Sequence, residues 1–140
     1  MNKLPHVARI LLGLVFFVFG LNGFLQFLPQ PETTAEGGAF LGALAATGYM
    51  FPLIKGVEVL AGAALLANRF VPLALTLLAP ILVNIFAFHA VLAPGLGMPI
   101  VLIGIELYLA YAYRESFAGV LSARAEPATN EAQRRELATA

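Results

Sequence analysis

The 140-residue chain has no cysteine and no tryptophan, and it is poor in charge. Without cysteine it supplies no disulfide framework, no thiol nucleophile and no thiolate ligands for an iron–sulfur cluster. Without tryptophan, any aromatic belt at a membrane interface falls to phenylalanine and tyrosine. Charged residues make up 11% of the chain, against about 25% in soluble domains. Eight basic and eight acidic side chains cancel, which leaves no basic field for nucleic acid or an anionic membrane surface. No phosphate loop, nucleophile elbow or metal-ligand cluster is present, and Gly95-Leu-Gly97 lies in a turn. His6 and His89 fall on opposite sides of the expected topology, so they offer no facing pair for haem. Autonomous redox chemistry is therefore not expected.

What the chain has is apolar sequence: 60% hydrophobic residues and a mean hydropathy of +0.86, well above the soluble average of about 45–50% apolar. Four stretches read as membrane helices, at about 10–28, 49–67, 70–92 and 100–117. The first is longer than a signal-peptide core, and a retained helix is expected. Prolines and glycines between Pro29 and Gly38 break the chain after it. Residues 39–47 are too few to span and read as an interfacial or partly re-entrant segment. Pro80 predicts a kink in the third helix. The expectation is an all-α, polytopic membrane protein: a four-helix bundle over 1–121 and a polar, solvated tail over 122–140. Lys3, Arg9, Arg69, Arg114, Arg124, Arg134 and Arg135 fall on one side of a four-span topology, which places both termini in the cytoplasm.

The polar residues inside these stretches are the candidate site. Lys55 and Glu58 lie within the second helix, three residues apart and on one face. Ionisable groups at that depth cost roughly 2.5–3.5 kcal/mol each on insertion scales and normally face a bundle interior or a wet cavity. At about 1.5 Å per residue, Glu58 and Glu106 fall near the midplanes of helices two and four. Asn22, Lys55 and Asn84 fall within about a turn of that level toward the outside, and Gln26 and His89 near the outer ends. Asn22, Lys55, Glu58, Asn84 and Glu106 are expected to converge on one pocket, with Glu58 and Glu106 as candidate proton-exchanging groups. Two glutamates share one lysine, so protonation of one of them would remove the uncompensated charge.

A faint repeat points the same way. Gly56-Val-Glu-Val59 returns as Gly104-Ile-Glu-Leu107, and Asn22-Gly-Phe24 as Asn84-Ile-Phe86. The order and depth suggest two parallel helix pairs related by an axis along the membrane normal. Plainer readings stand beside this one. Lys55 and Glu58 also fit a structural ion pair, and Asn22 and Asn84 fit interhelical hydrogen bonding. Gly13, Gly20, Gly56, Gly62 and Gly104 read as close-packing positions, and His89 as an interfacially solvated group.

Arg9-Ile-Leu-Leu-Gly-Leu-Val-Phe-Phe-Val-Phe-Gly20, followed by Asn22-Gly-Phe24, resembles the start of DoxX-family membrane proteins. Their second helix similarly carries a glutamate followed by small residues, here Glu58-Val-Leu-Ala-Gly-Ala-Ala-Leu-Leu66. A basic residue in the next turn, here Arg69, also fits. The likeness covers about residues 8–117, and Tyr113-Arg-Glu-Ser-Phe117 departs from the glycine-rich ending common in that family. The resemblance implies a four-helix topology and a link to oxidoreductase systems, some relatives being subunits of quinone-reducing enzymes. The reading is then a small subunit or accessory protein of an oxidoreductase system in the bacterial inner membrane. Its pocket would bind a quinone or similar lipid-like ligand through Asn22, Lys55, Glu58, Asn84, His89 and Glu106. Partners would be the bilayer, membrane or soluble oxidoreductase subunits, and copies of the chain itself. The alternatives are a small proton-linked transporter and a chaperone-like or structural scaffold without catalysis.

Overall fold

The ends of several helices are set by local devices that a long apolar run alone does not reveal. The computed structural model describes residues 3–125 together with 127, 134, 135, 137 and 138, so most of the tail expected at 122–140 lies outside the described residues. Among the described residues every regular element is a helix: α1 Leu4–Leu25, α2 Ala35–Ala46, α3 Met50–Leu66, α4 Val71–Val91, α5 Gly97–Ala112 and the single turn α6 Arg114–Phe117.

The first helix starts six residues before the expected position 10, because Pro5 in its first turn needs no amide partner there. It ends three residues before the expected 28. The Asn22 side-chain oxygen accepts from the Leu28 amide at 2.7 Å, and Gln26 turns left-handed at φ 51°. The segment expected at 39–47 is a longer helix, α2, capped by Thr34, whose hydroxyl accepts the Gly37 amide at 3.0 Å. The fourth stretch also differs, since α5 stops at Ala112 and a break at Tyr113 separates α6. Pro80 stays within α4, which runs unbroken. Its missing amide leaves the Thr76 carbonyl without the usual helical donor.

Two helices, α1 and α4, are long and apolar enough to cross a membrane. The α2–α3 pair passes the same test jointly but is bent by 92° at its break, and α5 is a shorter apolar helix of 16 residues. Of the four membrane helices expected, two are thus long and apolar enough to span among the described residues, or three with the bent pair counted as one.

Packing is cyclic: α1 lies on α3 and α5, while α4 lies on α3 and α5 from the other side. Leu12, Phe16, Leu65, Leu78 and Leu109 fill the space enclosed. The α1–α3 contact is the most extensive, and glycines set its distance. A Cβ on Gly62 would come 2.5 Å from the Phe17 amide nitrogen and 2.9 Å from the Gly13 carbonyl oxygen. A Cβ on Gly20 would lie 2.9 Å from the Val59 nitrogen. Such approach maximises dispersion between apolar helices where lipid gives no hydrophobic drive to associate. Gly56 and Gly104, grouped with them on sequence, face open space instead.

Arg9 is part of this contact. Its guanidinium is buried and donates to the Leu65 carbonyl and, at 3.3 Å, to the Leu66 carbonyl at the end of α3. A cation there adds a donor to carbonyls at the helix end and complements the negative end of the helix dipole.

Candidate functional site

The polar residues of the membrane-like stretches do not all meet. Lys55, Glu58, Asn84 and His89 line one cavity of about 350 Å³ between α3 and α4. Asn22 and Glu106 do not line it. The volume is at the lower end of the roughly 300–1,000 Å³ range of small-molecule sites.

Its walls follow from the helix geometry. Because α2 turns 92° away from α3, it crosses one end of the space between α3 and α4 and contributes Phe40, Leu41 and Leu44. The α3 wall is Met50, Phe51, Ile54, Lys55 and Glu58. Pro80, Ile81, Asn84, Ile85, Phe88 and His89 form the α4 wall, one or two positions per turn along the same face. Pro80 and Asn84 are exposed along this wall, so the cavity is open on the outer face of α4.

The charged end is on α3. The Lys55 ammonium donates to Glu58 Oε2 at 2.8 Å, with the lysine side chain 20% exposed and the glutamate 4%. The same ammonium lies 5.8 Å from the centre of the Phe51 ring, over its negative face. Gly23 of α1 makes room for the lysine stem: a Cβ there would collide with Lys55 Cγ. The pair thus faces the cavity with its cation partly accessible and its anion covered.

On the α4 wall His89 Nδ1–H donates to the Pro94 carbonyl at 2.8 Å and the ring meets Phe88 edge-on, centroids 5.3 Å apart. In the neutral ring that bond selects the Nδ1–H tautomer, in which Nε2 is the acceptor. Asn84, on the same wall, donates its amide to the Pro80 carbonyl at 3.2 Å on its own helix. The arrangement offers a donor and an anion on α3, a ring nitrogen on α4, and hydrocarbon and aromatic rings over the rest of the wall. It suits an amphiphile with polar atoms on a largely apolar body.

The remaining candidates have other surroundings. Asn22 closes the C-terminus of α1 through Leu28 and reaches no other helix in its hydrogen bonding. Glu106 is buried with Pro99, Leu102 and Leu109 on the inward face of α5, and its Oε2 has no partner. The convergence of five polar groups on one pocket is therefore not what the structure places. The two halves of the repeat also differ: Asn22 caps a helix end, whereas Asn84 bonds back within one. Among the described residues, no group of three or more His, Cys, Asp or Glu side chains is arranged to hold a metal ion.

Sequence reasoning missed the contribution of α2 to the cavity and the cap made by Arg9. Thr33-Thr-Ala-Glu36 was the available signal for α2, since a threonine followed shortly by a glutamate marks a helix start. Comparison of the chain with known protein families, curated proteins and solved structures finds no match.

Proposed function

We propose that this chain is a small membrane protein of DoxX type that holds a quinone or similar lipid-like ligand in the cavity between α2, α3 and α4. In this reading α1, α3, α4 and α5 all cross the bilayer of a bacterial inner membrane with both termini in the cytoplasm. The α3 and α5 helices rise only about 24–26 Å at 1.5 Å per residue, and local thinning accommodates such mismatch at fractions of a kcal/mol per Å. The gathering of Arg9, Arg69 and Arg114 at one end supports the orientation. The protein would serve as a binding subunit or accessory of an oxidoreductase system whose electron carriers lie on other chains.

The observation that carries the reading is the Lys55–Glu58 pair, its cation partly exposed, on the wall of a largely apolar cavity of about 350 Å³. An ion pair that served packing alone would be enclosed by side chains, whereas Lys55 lines open space. Within the cavity Lys55 donates to a ligand oxygen, Glu58 holds the ammonium in place and exchanges a proton with the ligand, and His89 Nε2 accepts from a second polar group of the ligand. Asn84 contacts the ligand body from the α4 wall.

The test is native mass spectrometry of the detergent-extracted protein, comparing wild type with Ile85→Trp, which fills the cavity from α4. A quinone or lipid adduct present in wild type and lost in a folded Ile85→Trp protein supports the site. An adduct equally abundant in both places the ligand elsewhere.

A further inference from the structure

The helix that crosses one end of the cavity is built differently from those that form its side walls. Of the twelve residues of α2, Gly37 alone is buried. Its twelve residues span about three turns, below the length at which an isolated helix is stable. The helix therefore depends on its two ends. At the first, the Thr34 hydroxyl donates to the Leu92 carbonyl, which caps α4, while accepting from the Gly37 amide at 3.0 Å. Beside it, Gly37 lies so close that an added Cβ would be 3.2 Å from both the Leu92 carbonyl oxygen and the Phe88 ring. One turn on, the Phe40 and Phe88 rings meet with centroids 5.9 Å apart. At the second end a three-residue link, Thr47-Gly48-Tyr49, carries the chain into α3 through Gly48 at φ 74°. Thr47 ties that link together, donating to the Leu44 carbonyl at 2.7 Å and accepting the Met50 amide at 3.1 Å.

We propose that α2 is a lid over the cavity, hinged at Thr47–Tyr49 and latched to the end of α4 by Thr34 and by the Phe40–Phe88 contact. The latch consists of one neutral hydrogen bond and one ring contact, the kind of local closure that opens far below the global unfolding free energy. The walls behind it do not share this weakness, because α3 and α4 each bury several residues in the core. Opening swings Phe40, Leu41 and Leu44 away from the cavity and leaves Lys55 and Glu58 in place, which widens the mouth at the α4 face through which an amphiphile loads sideways from the surrounding lipid. This device rests on the reading of the cavity as a ligand site. Its motion is nonetheless a property of the chain alone.

Two measurements on the full chain in lipid nanodiscs separate the lid from the ligand. The first is amide hydrogen exchange without ligand. The lid requires amides 38–46 to exchange about tenfold or more faster than those of 54–64 and 74–88, as for a sub-global opening. It also requires Thr34→Val to accelerate residues 38–46 while leaving the two walls unchanged. Equal protection of α2 and the walls, or no response to Thr34→Val, overturns the lid. The second uses the absence of native cysteine. Phe40→Cys/Phe88→Cys is bridged with a short bis-thiosulfonate reagent, and uptake of a decyl-substituted benzoquinone is timed before and after reduction. The lid predicts slower uptake in the bridged form and recovery on reduction. Uptake at one rate in both forms overturns the lid and keeps the site. No uptake in either form counts against this probe as ligand, and the exchange result then decides the lid.

Discussion

Lys55 donates to Glu58 Oε2 at 2.8 Å across one turn of α3, and the two side chains form the charged end of the cavity. Breaking a buried pair from one side leaves the other charge uncompensated, at a cost of about 3–5 kcal/mol when both are buried. Lys55 keeps a fifth of its side-chain surface, so Lys55→Met is expected to cost less, about 2–3 kcal/mol. Lys55→Met with Glu58→Met should recover most of that loss. Thermal unfolding in one detergent checks both, and a single variant as stable as wild type would contradict the pairing.

The α1–α3 contact makes a contrast between glycines. Gly62→Ala must push α1 away from α3 and is expected to cost about 1–3 kcal/mol, as overpacking does. Gly56→Ala and Gly104→Ala add a methyl group into open space and should be neutral or stabilising by up to about 1 kcal/mol through helix propensity. Midpoints of thermal unfolding for the three variants, ranked in that order, test the packing.

Arg9 makes a similar contrast with the other basic residues. Arg9→Leu removes the donor to the Leu65 and Leu66 carbonyls and is expected to cost about 1–3 kcal/mol. Arg69→Leu, at an exposed turn position, should stay within about ±0.5 kcal/mol. Loss of stability in both or in neither would mean that the cap is not what distinguishes Arg9.

Glu106 provides the opposite case. Its carboxyl oxygen Oε2 is buried without a partner, so replacing it with an apolar side chain of similar length removes a desolvated polar group. Glu106→Met is expected to be neutral or stabilising by about 1–3 kcal/mol. A large loss of stability would show that the carboxyl has a partner that matters to the fold.

These cases also mark where the sequence was readable. Lys55 and Glu58 can be paired from their spacing alone, because three residues on a helix bring side chains to one face. Hydropathy and the Pro29–Gly38 break place the helices, since proline and glycine end helices by removing donors and releasing the backbone. A cation near a helix end has the same pattern whether it meets water or caps a neighbouring helix, so Arg9 read only as a topological charge. Asn22 presented the same ambiguity, since a local cap and a cavity contact need the same amide. Glycine in an apolar helix looks alike toward lipid and toward another helix, and only the Gly13–Gly62 apposition separates the two. The cavity itself depends on the 92° turn between α2 and α3, a tertiary angle that periodicity within a helix does not encode.

The central claim is that the ligand lies between α2, α3 and α4 with its polar end at Lys55 and Glu58. The most direct measurement is native mass spectrometry of the extracted protein as wild type, Glu58→Gln and Glu106→Gln, each shown to be folded. The account predicts an adduct that is present in wild type, retained in Glu106→Gln and lost or reduced about tenfold or more in Glu58→Gln, the change produced by about 1.4 kcal/mol of binding energy. An adduct lost only in Glu106→Gln, or retained in both, would contradict it.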